Sequence, residues 1–235
     1  MNDVSKHAVE EETSMKKLLS LIVMTLLVAA GCHHGMRAEI KGSGKRERQK
    51  REVAAFTSIS TAGAFEIEVV CQKDLGVEVE GDDNVLPYVG SEVRDNQLRL
   101  TNKKSYSTDE PVKFKISVPN IEAFSTDGAG KVQITGVNND KIQIFSNGAS
   151  VITVSGSTKM VGIDTNGASK IDTHNLRATR AVVDSKGVSR VDIGVSEQLD
   201  VTVSGPSQVT YRGDPVINKT VHGPGKVEKR ADQGA

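Results

Sequence analysis

Three charged side chains near the middle of the chain have types and spacing that could do chemistry: Asp164, Asp184 and Lys186. The two aspartates stand at the same place in successive copies of a repeat, so they should be neighbours in space. Carboxylates that close repel one another unless a cation sits between them. Calcium with a nearby base would make this face resemble that of a β-helical polysaccharide lyase. Calcium, however, takes about 6–8 oxygens, and Lys186 alone can neutralise the pair. The residues themselves therefore favour charge balance over catalysis, with no metal and no cofactor. A second group is Lys131, Lys170, Asp172, Arg190 and Asp192, three or five residues after a recurring glycine. It reads either as a solvated ladder of ion pairs, each worth about 0–1 kcal/mol, or as a polar strip that binds an acidic or zwitterionic glycan. No Ser/His/Asp, Cys/His, zinc or phosphate-loop pattern stands out. Lys41-Gly42-Ser43-Gly44-Lys45 neither follows a strand nor opens a helix, and reads as a flexible linker.

The elements that must carry these residues come from one pattern written six times between about residues 124 and 229. Its anchoring glycines are Gly128, Gly148, Gly167, Gly187, Gly205 and Gly223, at spacings of 20, 19, 20, 18 and 18. A period near 20 is the mark of a repeat architecture. Four residues after each glycine stand Val132, Ile152, Ile171, Val191, Val209 and Val227; four before stand Phe124, Ile144, Ile163, Val183, Val201 and Lys219. Within each copy apolar residues alternate, so the copies are strands with one face buried. Each glycine marks a corner, where positive φ is the expected reason for it; Asp127, Asn147 and Asn166 beside the first three tolerate the same region. A second corner falls at Gly136, Gly156, Asn175, Gly194 and Gly213. Gly63 with Ile59, Ile67 and Val69 fits the same columns, so a first rung comes early. The expected fold is all-β: a right-handed parallel β-helix of about six to seven rungs. Residues 71–120 form an excursion with strands of their own and read as a sheet capping the N-terminal end. Within it, Asp82-Asp83-Asn84 is placed to cap one helical turn. Lys219 and Lys229 in the inward columns of the last copy mark where the core stops, and 230–235 is a tail.

Composition agrees with a thin core of small aliphatics: 235 residues, 22 glycines, only 3% aromatic, and a formal net charge of zero that gives no pull toward nucleic acid. Residues 1–31 read as an export signal. Met15-Lys16-Lys17 precedes an apolar run from Leu18 to Ala30 that is too short to span a bilayer, and the acidic residues 1–14 suit a mis-assigned start better than a signal. Val28-Ala29-Ala30-Gly31-Cys32 has the form of a lipobox, which makes Cys32 the lipidated residue. Residues 32–52 carry an excess of Lys and Arg and read as a solvated tether, with contact to anionic headgroups as the sharper reading. The folded domain is expected from Val53 to Lys229. Cys71 continues the Phe65/Ile67/Val69 column as a small buried hydrophobe.

Several stretches in order (REVAAFTSISTAGAFEIEV, GDDNVLPYV, KFKISVPNI, then DGAGKV and NGASVI) resemble the bacterial auto-transporter adhesin, head GIN domain family over roughly Val53 to Val227. The resemblance implies a parallel β-helical domain exported to the cell envelope, often on a lipoprotein, and brings no catalytic residues with it. Lys186 and His222 depart from the small residue usual before the turn glycine. The expectation is a non-enzymatic envelope lipoprotein, on the outer membrane. Its partners would be the membrane, through the N-terminal lipid, and an envelope glycan or protein. The competing class is a carbohydrate-active enzyme such as a calcium-dependent lyase.

Overall fold

The computed structural model describes residues 39–230. The strands preceding the repeats are β1 (Ile40–Lys41), β2 (Arg46–Lys50), β3 (Ser58–Ala62), β4 (Phe65–Cys71), β5 (Gly76–Asp82), β6 (Val89–Arg94), β7 (Gln97–Asn102), β8 (Tyr106–Ser107), β9 (Val112–Val118) and β10 (Ala123–Thr126). The repeats themselves form β11 (Lys131–Gly148), β12 (Val151–Gly167), β13 (Lys170–Gly187), β14 (Arg190–Ser204), β15 (Gln208–Arg212), β16 (Val216–His222) and β17 (Lys226–Lys229).

Two parallel ladders run side by side as a β-solenoid. Segments that follow the corner glycines stack in the order β9, β4, the first parts of β11, β12, β13 and β14, then β15 and β17. Segments that precede the corners stack as β7, β3, β10, the last parts of β11 to β14, and β16. The alternation seen in the sequence sets which residues face inward: Ile134, Ile144, Ile152, Ile171, Val191 and Val209 are among the fully enclosed core. Each repeat also has a short third side, which the period-two columns did not reveal. It contributes Val137, Leu176, Ala178 and Val195 to the core and interrupts the register between the long ladders. At the C-terminal end Ile217 and Val227 are only partly buried, while Lys219 and Lys229 are exposed, so the core stops at the expected place.

The N-terminal end is closed as expected, though by different means. β7 and β9 continue the two parallel ladders as one more coil, and antiparallel strands then finish each edge: β6 on β7, and β5 on β9. The β6–β7 link is a two-residue turn at Asp95-Asn96, with φ of 52° and 59°, as tight hairpins require. Phe65 and Phe114 pack edge to face, 5.3 Å between centroids, beneath this cap.

Two expectations about the N-terminal segment need correction. Residues 46–50 are not tether: β2 pairs antiparallel with β5, and Arg48 donates to Glu80 at 2.8 Å. The basic side chains of this strand are neutralised by acidic ones opposite them. Nor do Gly42-Ser43-Gly44 and Asp82-Asp83-Asn84 play the parts assigned to them. The short 3-10 turn Leu86–Tyr88 has Val85 at its cap position and no side-chain cap. The acidic triplet instead holds the glycine loop: the Ser43 amide donates to Asn84 at 2.9 Å, the Ser43 hydroxyl to Asp83 at 2.7 Å and the Gly44 amide to Asp82 at 3.2 Å. Backbone donors of an extended loop reach these acceptors more readily than helix amides that a cap residue must precede.

The corner glycines have a second cause beyond the one expected. Gly63, Gly167, Gly187, Gly205 and Gly223 adopt positive φ as expected, but Gly128 and Gly148 do not, and neither do Asp127, Asn147 and Asn166. The common constraint is proximity. A Cβ added to Gly128, Gly148, Gly167, Gly187 or Gly205 would lie under 3.0 Å from the carbonyl oxygen of the glycine one coil earlier. Backbone atoms of the stacked coil cannot retreat without breaking the ladder. Gly148→Ala should therefore lower the unfolding free energy by about 2 kcal/mol or more, although its φ is one that alanine accepts, while Ala149→Gly at the exposed neighbour has a much smaller effect. Urea denaturation of both variants checks this; a Gly148→Ala protein as stable as the parent contradicts it.

Candidate functional site

Inside the corners lies a feature that the apolar columns concealed. Two residues after the glycines, Ser150, Ser169, Ser189 and Ser207 are buried. Each hydroxyl donates to the glycine carbonyl of the preceding coil, at 3.1, 3.2, 3.3 and 3.0 Å. Thr126, Ser146 and Thr165, two before the glycines, meet the serines of the next coil at 3.4, 2.7 and 2.6 Å. A row of buried serines resembles a set of nucleophiles. Each hydroxyl here is enclosed and spent on the carbonyl of a neighbouring coil, and none has a base beside it. The row is structural, and the recurring Ser at one fixed offset from the glycine was the signal available for it.

Cys71 is likewise withdrawn from chemistry: it is buried, and burial pushes its thiol up to about 11. A thiol that stays protonated at neutral pH is not a nucleophile. Cys32 lies outside the described residues.

Asp164 and Asp184 are paired in register on adjacent coils, as their spacing implied. Lys186 Nζ donates to Asp184 Oδ2 at 2.9 Å. Asp184, and behind it Asp164, hold the Lys186 ammonium above its ordinary value. The same column continues to Phe145, an exposed aromatic at 45%, on one side and Thr202 on the other. Among the described residues no group of three or more His, Cys, Asp or Glu side chains is placed to hold a metal ion. The aspartate pair thus carries a counter-ion of its own in Lys186.

The polar strip is assembled differently from its expected form. Lys170 lies beside Arg190 and Asp172 beside Asp192, all in register, with Val151 between Lys170 and Lys131. The acids do not pair with the lysine and arginine of their own strands. Asp172 is held by the imidazole of His174, whose backbone amide it also accepts at 3.2 Å, and Asp192 is held by Arg230. Lys170 and Arg190 have no side-chain partner among the described residues.

Along the third side runs a groove of about 930 Å³ lined by, among others, His174, Arg177, Gly194, Arg212 and Asp214. Gly194 pairs with Arg212, so one rung of its floor carries no side chain. Toward the N-terminus the outer surface is organised in the opposite sense. Across β11, β4, β9, β5 and β2 the rows read Lys131–Glu66–Lys113–Glu80–Arg48 and Gln133–Glu68–Lys115–Glu78–Lys50, signs alternating strand by strand. Opposite charges directly across strands stabilise a sheet and leave this surface neutral.

Asp184→Asn should leave the melting temperature nearly unchanged, since Lys186 merely loses an exposed partner, and millimolar calcium should shift neither protein. A rise of many degrees with calcium, lost in Asp184→Asn, would reveal a metal site on this column.

Comparison with known proteins agrees with the geometry. The chain is similar in structure to an adhesin-like protein of Bacteroides fragilis NCTC 9343, with a TM-score of 0.65 and 22% identity over 81% of this chain and 100% of the other. It is also similar to one from Parabacteroides distasonis ATCC 8503 described as a "putative lipid binding protein", with a TM-score of 0.53 and 19% identity over 82% and 100%. At these identities the likeness concerns the fold. No curated protein matches the chain. The family model described as "Putative auto-transporter adhesin, head GIN domain" matches residues 55–215, spanning the N-terminal cap, the glycine corners and the serine row, and the chain belongs to that family.

Proposed function

We propose that this is a non-enzymatic binding domain of the bacterial cell envelope, held to a membrane by a lipid on Cys32 and presenting a rigid β-solenoid to a partner. One observation carries the reading: the inside of the solenoid is filled. Aliphatic columns and the hydroxyl row occupy it from β9 to β15, so no interior site is left for a substrate, and contacts must use the outer faces. A stack of coils joined by continuous ladders keeps those faces in fixed register, which suits display better than turnover. The family described as an adhesin head domain supports an envelope location. The apolar run Leu18–Ala30 followed by Gly31-Cys32 supports the lipid anchor.

The calcium-dependent lyase is disfavoured by the same geometry that places Asp164 beside Asp184, because Lys186 already occupies the position of the neutralising charge. In cells, the full chain should fractionate with membranes, and Cys32→Ser should move it to the soluble envelope fraction while its melting temperature is unchanged. Mass spectrometry of the mature N-terminus should find lipid on Cys32. An unmodified Cys32, or a variant that stays in the membrane, contradicts the anchor. Calcium-dependent cleavage of an acidic polysaccharide, abolished by Lys186→Ala, would overturn the binding-domain reading as a whole.

A further inference from the structure

Charges around the third-side groove are satisfied unequally. The aspartates at and beside it are engaged: Asp140 with Lys159 at 2.8 Å, Asp172 with His174, Asp192 with Arg230 and Asp214 with Lys229, which leaves Glu197, next to the lining Ser196, as the unpaired acid there among the described residues. The guanidinium groups of Arg177 and Arg212 have no hydrogen bond or ion pair among the described residues, and neither do Lys170 and Arg190 on the adjoining face. Since the chain as a whole has a formal net charge of zero, this local excess is not a consequence of a basic composition. It contrasts with the N-terminal face, where each cation lies opposite a carboxylate.

The groove has the form of a binding cleft as well as the charge. At about 930 Å³ it falls within the usual range for ligand sites, about 300–1,000 Å³. Gly194, stacked on His174 and in register with Arg212, places no side chain on this part of the groove. His174 is fixed by Asp172 at its Nδ1, which leaves Nε2 for a ligand. Guanidinium groups are suited to bidentate contact with carboxylate or sulfate oxygens.

We propose that this groove binds a linear acidic polysaccharide through Arg177 and Arg212. The proposal rests on the binding-domain reading above and gives it a ligand class. A nucleic acid fits less well, because no Phe, Tyr or Trp lines the groove to stack a base. A bilayer surface fits less well, because a broad headgroup layer does not enter a concave cleft.

The test uses the full chain and defined probes: polygalacturonate for carboxylates, chondroitin sulfate for mixed carboxylate and sulfate, neutral dextran, an oligothymidylate strand, and phosphatidylglycerol vesicles. Polygalacturonate or chondroitin sulfate should bind and dextran should not, with affinity falling as salt is raised. The ratio between the two acidic polymers identifies the preferred anion. Arg177→Gln/Arg212→Gln should weaken binding by about tenfold or more, Arg177→Lys/Arg212→Lys should retain most of it, and Lys103→Gln/Lys104→Gln, with the same loss of charge elsewhere, should stay within about twofold of the parent. Melting curves of each variant separate lost binding from lost fold. Equal weakening by the Lys103/Lys104 variant, binding to neither acidic polymer, or tighter binding to the oligonucleotide or the vesicles would overturn the proposal. Attachment of cells displaying the full chain distinguishes the two levels. If attachment persists in Arg177→Gln/Arg212→Gln, the groove assignment fails and the binding-domain reading stands; if the wild-type chain supports none, the broader reading fails.

Discussion

Everything in this solenoid depends on how closely one coil can approach the next at the glycine corner. Strand spacing in a parallel ladder is fixed at about 4.8 Å, and at the corner the chain turns so sharply that stacked backbones nearly touch. Only a residue without a Cβ fits there. Once the corner is that tight, the amides just beyond it fall on the carbonyls of the coil before: Ala149 on Gly128 at 3.1 Å, Ala168 on Gly148 and Val188 on Gly167 at 2.8 Å. The serine hydroxyls take second positions on the same carbonyls. A turn that would ordinarily be a solvated loop is thereby made part of the ladder, and both flanking strands are locked in register by it. The aliphatic columns add hydrophobic free energy on top of this geometry but do not determine it, since alternating Val and Ile would suit many sheets.

The division between what could and could not be read from the sequence follows from this. Ile152, Ile171 and Val191 announce themselves because burial selects apolar side chains at a fixed phase, and a parallel stack repeats that phase every coil. Their glycine partners were equally visible, but only part of the reason for them was. Positive φ, the expected reason, holds at Gly63, Gly167, Gly187, Gly205 and Gly223, whereas the proximity that excludes a side chain from Gly148 exists only once another coil is stacked on it. Buried serines were overlooked because polarity normally marks the surface; here the hydroxyls pair with one another and with carbonyls, which removes the cost of burying them. Arg46–Lys50 looked like a tether because its cations have no apolar period. Their partners, Glu78 and Glu80, lie about thirty residues away in the chain and opposite them in the sheet. Of the candidate chemistry, the neighbour relations Asp164–Asp184 and Lys170–Arg190 were legible from spacing alone. The choices made by Asp172 and Asp192 were not, since His174 and Arg230 reach them through local geometry.

For function, the consequence is a molecule with a closed interior and differentiated faces. The N-terminal surface neutralises itself strand by strand. Lys186 offsets one of the two charges of the acidic column. Positive charge without an internal partner is left along the third side, where register breaks and Gly194 open a groove. A rigid stack holds these surfaces at constant separation, so a partner with a repeating structure can meet several coils at once without ordering the protein first. Such preorganisation is consistent with an envelope binding domain.

Native-state hydrogen exchange tests the central claim most directly, because it reports on the corner hydrogen bonds one amide at a time. If tight stacking at the glycines holds the solenoid together, the amides of Ala149, Ala168 and Val188 should exchange only as slowly as the strand amides of Ile152, Ile171 and Val191, through opening of whole coils. Exchange of those corner amides at the rate of the exposed residues 104–105, with the strands still protected, would contradict the account.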